Sequence, residues 1–286
     1  MNLILHGTDI PGALVSQLAL TTRSAPPASH GAHAWSLANA QRNETTQAAV
    51  EQACADAEID FAWLERPLGW RDFGLLVFDM DSTLVTIETI DEIADYCGRK
   101  DEVAAITEAA MRGEIPDYGE SLRQRVALLK GLSIDALQKV YDERMHLSPG
   151  AERLIAAAQA HGLKTLIVSG GFTFFTERLK ERLKMDFARS NILKFDISAG
   201  VATLAGTVSG EIVDADVKAR EVRDTCARLG LETRQAIVMG DGANDLKMMA
   251  LAGWSVAYSA KPVVRAQASC AFNYCGLDGL LNILGE

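Results

Sequence analysis

The chain has 286 residues, 48% of them hydrophobic and 23% charged, the balance of a soluble globular protein with room for one large domain or two modest ones. Its formal net charge of −10, with no compensating basic block, argues against a nucleic-acid partner but permits a small anionic ligand held by a few local cations. No stretch approaches the ~18 apolar residues of a membrane span, and residues 1–6 lack the regions of a signal peptide, so a cytoplasmic protein with no membrane partner is expected.

Residues 1–68 read as a small α+β N-terminal domain. Strands are predicted at Asn2–Leu5, Ala32–Leu37 and Asp60–Leu64, helices at Pro11–Thr21 and Thr45–Ala57, and a loop at Ser24–Ser29. The unit holds no cluster of catalytic residue types, and His6, His30 and His33 read as packing or surface residues. Pro67 to Gly69 marks the boundary.

From Phe73 the pattern changes. Three apolar runs, Gly74–Phe78, Leu163–Val168 and Ala236–Met239, end in Asp79, in Ser169-Gly170-Gly171 and in Gly240-Asp241-Gly242. Short apolar runs that stop on small or acidic residues are the pattern of an open, Rossmann-like doubly wound parallel sheet, with its ligand site beyond the carboxyl ends of the strands. Ser255–Tyr258 and Ala271–Tyr274 extend the sheet. The first run begins roughly 90 residues before the second, far more than a crossover of a dozen or so requires. Residues of about 87–142 are therefore an insertion, a helical cap with helices at Thr89–Tyr96, Asp101–Met111, Tyr118–Lys130 and Ser133–Val140. A second insertion, about 191–213, reads as a β-hairpin, and Val217–Leu229 as a helix that carries Lys218. The fold class is α/β: a core of residues 69–86 and 143–286 with the inserted cap. The five cysteines (Cys54, Cys97, Cys226, Cys270, Cys275) contain no C-x-x-C pair and read as free thiols in a reducing compartment.

Asp79 and Asp81, at i and i+2 after a buried strand, concentrate negative charge that a divalent cation would relieve. An EF-hand loop is excluded, because the sixth position is Leu84 and the twelfth is Ile90. A plain solvated turn accounts for the pair equally well when it is taken alone. Asp241 and Asp245 at a second strand end weigh against that reading. Ser169 with Gly170 and Gly171 forms a candidate anion nest, and Lys218 a cation beside it.

Asp79-Met80-Asp81-Ser82-Thr83, Ser169, Lys218 and Gly240-Asp241-Gly242-Ala243-Asn244-Asp245 resemble the four ordered motifs of the haloacid-dehalogenase-like phosphohydrolases. The resemblance runs from about Phe73 to the end. Glu88-Thr89-Ile90-Asp91-Glu92-Ile93-Ala94, Ser121-Leu122-Arg123-Gln124-Arg125-Val126, Val168-Ser169-Gly170-Gly171-Phe172 and Ala260-Lys261-Pro262 narrow it to members that hydrolyse O-phosphoserine, the last step of serine biosynthesis. The resemblance implies Asp79 as nucleophile and Asp81 as proton donor and acceptor. It also implies Mg²⁺ held by Asp79, the Asp81 backbone carbonyl and Asp241. Ser169, Gly170 and Lys218 would hold the phosphoryl group, Asn244 would lie near substrate, and Asp245, Thr83 and Gly171 would support the site. Glu88 is assigned to the substrate ammonium and Arg125 to its carboxylate, with Met111 and Tyr118 lining the lid.

Two alternatives stand beside this reading. A phosphotransferase of the same fold would share the aspartyl-phosphate. A regulatory amino-acid-binding protein would use residues 1–67, whose βα pattern is weakly similar to ACT-like regulatory domains but short of one element. Effector binding, packing and homodimerisation through that domain are all left open.

Overall fold

The computed structural model describes residues 1–31, 33–112, 114, 115, 117–198 and 200–285, apart from the side chains of Met111 and Ser198. Its strands are β1 (Asn2–His6), β2 (Ala28–Ser29), β3 (Ala34–Leu37), β4 (Asp60–Leu64), β5 (Leu75–Phe78), β6 (Lys164–Phe172), β7 (Phe187–Ser198), β8 (Val201–Ser209), β9 (Ala236–Gly240), β10 (Trp254–Tyr258) and β11 (Cys270–Phe272). All lie in one sheet of order β2-β3-β1-β4-β11-β10-β9-β5-β6-β7-β8.

The centre is parallel, β11-β10-β9-β5-β6-β7. Every residue of β5 and β9 is buried, because helices cover both faces. Chain order reverses at β5, which sits between β6 and β9. Ligands of doubly wound sheets bind at such a switch point. Apolar residues on one side of the centre (Leu76, Phe78, Ile167, Ile237, Met239) join a large core that continues into the cap. Those on the other (Leu75, Val77, Leu166, Val168, Val238) pack under the helix Ala215–Arg228.

The cap leaves the core after β5 and returns before the helix Ala151–Ala160. A bridge between Val85 and Leu147, with the Thr86 N–H donating to the His146 carbonyl at 3.0 Å, closes its base. The cap thus runs about four residues past the expected end at 142. Its helices are Thr89–Tyr96, Lys100–Met111, Tyr118–Ala127 and Ile134–Lys139, close to the expected spans. The second insertion is more than a hairpin. Its first strand, β7, begins at Phe187 as a parallel member of the core sheet and only then runs out to pair antiparallel with β8. The hairpin grips the end of the cap: the Gly131 N–H donates to the Leu204 carbonyl, and the Leu204 N–H to the Leu132 carbonyl, both at 2.8 Å.

The N-terminal unit differs from expectation in two ways. Ala28–Ser29, read as loop, is strand β2 and pairs with β3, which gives the unit the order βαββαβ. Two residues preceded by Pro26 and Pro27 carry no alternation, and only the partner strand makes them a strand. The expected strand at Ala32–Leu37 is seen as Ala34–Leu37, and Ala32 lies outside the described residues. The unit is also not separate from the core, because β4 pairs antiparallel with β11 through Ala271 and Phe61. Asp60, buried in this seam, accepts the N–H groups of Asn273 (2.8 Å), Tyr274 (3.0 Å) and Cys275 (2.9 Å). Among the described residues no helix is long and apolar enough to cross a membrane.

Candidate active site

β5 delivers Asp79 to the switch point, where the Asp79 N–H still donates to the Met239 carbonyl of β9 at 3.0 Å. The chain then turns widely: Leu84 N–H donates to the Asp79 carbonyl (3.2 Å) and Val85 N–H to that of Met80 (3.0 Å). Such i→i+5 turns gather at functional sites. Ser82 sits within it at φ 54°, in the left-handed region.

Asp79 Oδ1 accepts the Met80 N–H at 2.7 Å, and its Oδ2 lies 2.7 Å from Lys218 Nζ. Lys218 is fully buried and its ammonium also donates to Asp245 Oδ1 at 2.8 Å. Asp214 caps the lysine's helix by accepting the Val217 N–H at 2.9 Å. Burial alone would depress the ammonium's pKa, but Asp245 and Asp79 together raise it, so the lysine stays charged. Asp245 Oδ2 accepts the N–H groups of Asp241 (3.1 Å) and Gly242 (3.0 Å), which folds the acidic loop onto its own support. Thr83 Oγ1 donates to Asp241 Oδ1 at 2.9 Å and ties the two acidic turns together.

This floor carries more negative charge than it neutralises. Burial pushes the Asp79 carboxyl well above the usual carboxylate range, Asp245 adds to the push, and Lys218 offsets part of it. Burial and then Asp245 push Asp241 up to about 6. Asp79, Asp241 and Asp245 each offer an oxygen within 4.8 Å of the others. An all-oxygen, net-anionic donor set suits a hard divalent cation, so these residues fit the Mg²⁺ implied by the sequence. Asp245 already engages Lys218 and two amides, which leaves Asp79 and Asp241 as the freer side-chain donors.

Ser169, Gly170 and Gly171 stand where β6 meets the cap. Register between β6 and β7 breaks between Val168 and Phe172, so these residues leave the ladder. Ser169 Oγ accepts the Gly171 N–H at 2.8 Å. A Cβ on Gly170 would lie 2.3 Å from the Tyr118 hydroxyl, and one on Gly171 2.6 Å from Met80 Cε and 3.0 Å from Asp81 Oδ2. Only glycine permits that approach of the backbone to the cap and to Asp81.

The cap supplies the roof. Thr89 donates through its N–H to Asp81 Oδ1 and through its hydroxyl to Oδ2, both at 3.2 Å. Ser82 Oγ donates to Glu88 Oε1 at 2.7 Å. Burial, then the Glu88 charge, pushes Asp81 up to about 8 against the pull of Thr89, a shift that favours its protonated form. One cavity of about 540 Å³ is lined by Asp79, Asp81, Ser169, Gly170, Gly171, Asp241 and Asn244 from the core and by Glu88, Tyr118 and Arg125 from the cap. Lys218, Asp245 and Thr83 lie beneath it. The Met111 side chain falls outside the described residues. Sequence reasoning missed Thr89 and Asp91, which resemble ordinary first-turn helix residues. It also gave no role to Lys261 of the quoted Ala260-Lys261-Pro262, which lines the same cavity.

The family described as haloacid dehalogenase-like hydrolase matches residues 76–250. The chain belongs to this family. Within the haloacid dehalogenase-like hydrolases it is 57% identical over 213 residues to a phosphoserine phosphatase of a Polaromonas strain, an alignment that covers 74% of this chain and 90% of that one. Two crystal structures of this family match nearly its full length, N-terminal unit included. One is a hydrolase from Salmonella enterica serovar Typhi (TM-score 0.86, 32% identity, 99% of this chain and 97% of that one). The other is a probable phosphoserine phosphatase from Vibrio cholerae in unliganded form (TM-score 0.84, 38% identity, 99% and 86%).

Proposed function

We infer that this haloacid dehalogenase-like hydrolase is a phosphoserine phosphatase, releasing serine and inorganic phosphate from O-phosphoserine. The observation that carries the reading is the pairing of two recognition chemistries in one cavity. A floor of Asp79, Ser169 and Gly170, with the Lys218 ammonium beneath it on Asp79, suits a phosphoryl group, and a roof with Glu88 and Arg125 suits an ammonium and a carboxylate.

In the first step an Asp79 oxygen attacks phosphorus and the bond to the serine oxygen breaks, leaving an aspartyl-phosphate. Asp81, whose raised pKa favours the protonated form and which lies against Gly171, gives its proton to the departing serine oxygen. The Asp81 carboxylate then takes a proton from water as that water attacks the same phosphorus, and the bond to Asp79 breaks to release phosphate. The Lys218 ammonium and the Ser169–Gly171 loop hold the phosphoryl oxygens through both steps. Asp79, Asp241 and the Asp81 carbonyl would hold Mg²⁺, which supplies the positive charge that lets one anion approach another. Closing the cap keeps water out until serine has left.

A phosphate-release screen over phosphoserine, phosphothreonine and sugar phosphates tests the reading. Phosphoserine turnover should need Mg²⁺, stop on EDTA addition and return with the metal. Arg125→Ala should reduce turnover of phosphoserine at least tenfold more than that of p-nitrophenyl phosphate, which lacks a carboxylate. Equal losses would remove the case for an amino-acid substrate. We also assign the protein to the cytoplasm, a reading supported by its five free cysteines.

A further inference from the structure

Where β6 leaves the ladder, its peptide groups lose their strand partners, yet the Gly170 carbonyl has one. The side-chain Nδ2 of Asn191 donates to it at 2.8 Å. Asn191 faces Phe172 in register, at the point where pairing resumes, and is 1% exposed. Its Oδ1 accepts the Val213 N–H at 2.9 Å. One partner is a carbonyl and the other an N–H, so the orientation of the amide is fixed by chemistry. Val213 adjoins Asp214, whose side chain caps the helix of Lys218 and whose carbonyl accepts the Lys218 N–H at 2.9 Å.

The Gly170 carbonyl and the Gly171 N–H belong to one peptide group. That group is held at its oxygen by Asn191 and at its nitrogen by Ser169 Oγ. Two successive glycines have wide torsional freedom, so without these two contacts the nest would sample many orientations. We propose that Asn191 is a positioning residue for phosphoryl binding: it fixes the Ser169-Gly170-Gly171 loop and the foot of the Lys218 helix relative to each other, so that both meet the same phosphoryl group. Asparagine meets the chemical requirement, a donor and an acceptor on one short planar group. Aspartate has no donor, and leucine has neither. The inference rests on the phosphoryl-binding reading of this loop given above.

Asn191→Asp keeps the shape and the acceptor for Val213 but sets an oxygen against the Gly170 carbonyl. The affinity for inorganic phosphate, measured as product inhibition, should fall about tenfold or more, as expected when anion donors are displaced rather than removed. The kcat/KM values for phosphoserine and p-nitrophenyl phosphate should fall by a common factor. Inhibition by serine, which carries no phosphoryl group, should not change. Unchanged phosphate affinity, or equal loss for phosphate and serine, overturns the proposal. Asn191→Ala, a smaller variant with neither donor nor acceptor, should show the same selective loss if the aspartate variant does not fold. In the wild-type chain the Asn191 side-chain amide NMR signals should shift on adding phosphate and not on adding serine; signals that do not move count against the proposal. Ser169→Ala separates the two readings. If it too leaves phosphate affinity intact, the nest itself is misassigned; if it alone weakens phosphate binding, only the role of Asn191 falls.

Discussion

Lys218→Met tests the electrostatics of the floor directly. The lysine is fully buried and its ammonium lies 2.7 Å from Asp79 and 2.8 Å from Asp245. Methionine keeps most of the length and none of the charge. The variant leaves two buried carboxylates facing each other without their shared counter-ion. Breaking a buried ion pair by removing one partner costs about 3–5 kcal/mol, a large part of the about 5–15 kcal/mol that holds a domain folded. The deficit has a sign in pH. The Asp79 carboxyl already sits above its ordinary range in the folded chain, and losing Lys218 raises it further. A raised carboxyl favours the folded state while it is protonated, and that contribution is lost as pH rises through the folded value. The deficit of Lys218→Met against wild type should therefore be smallest near pH 5 and largest near pH 8. Urea unfolding of both proteins in EDTA at the two pH values measures it. Added Mg²⁺ should shrink the deficit by pairing with the uncompensated carboxylates. A deficit that is the same at both pH values, or smaller than about 1 kcal/mol, would show that Lys218 does not neutralise the pair.

Three further outcomes follow from named contacts. Thr89→Val removes the hydroxyl donor to Asp81, so steady-state phosphoserine turnover should fall about tenfold, while the initial burst of nitrophenol from p-nitrophenyl phosphate, a leaving group that needs no proton, stays intact; a lost burst refutes an orienting role. Gly170→Ala should suppress activity because its Cβ would lie 2.3 Å from the Tyr118 hydroxyl, and adding Tyr118→Phe should restore part of it; no restoration would place the fault in the backbone. Asp60→Ala leaves three backbone N–H groups without their acceptor and should cost about 3 kcal/mol in urea unfolding, with the turnover of the folded fraction unchanged; a loss below about 1 kcal/mol would mean that water replaces the carboxylate.

The carboxylates that meet at the strand ends were legible in the sequence because each sits in a local pattern. Asp79 and Asp81 stand at the end of an apolar strand, where a plain turn would explain them equally well, and Asp241 with Asp245 at a second strand end decides between the two. The groups that hold them were not legible. Thr89 looks like any helix start, and its tie to Asp81 depends on a wide turn that composition does not announce. Asn191 acts on Gly170, 21 residues away, and Asp60 on Asn273, 213 residues away. Fold-level errors have the same origin. β2 exists because β3 lies beside it, and the N-terminal unit joins the core through a backbone pairing that no side-chain pattern encodes.

That joining has a consequence for solubility. A parallel core ending at β11 would present a row of unpaired backbone groups, a template for strand addition by another molecule. Here β4 covers that row. The sheet then runs on through β1 and β3 and stops at β2, two residues long and preceded by Pro26 and Pro27, which cannot donate to an incoming strand. At the far side β8 is bonded to the cap through Gly131 and Leu132 and bridged to Ser133. Both rims of an eleven-stranded sheet are thereby blunted against edge-to-edge aggregation, one by a stub and the other by the cap itself.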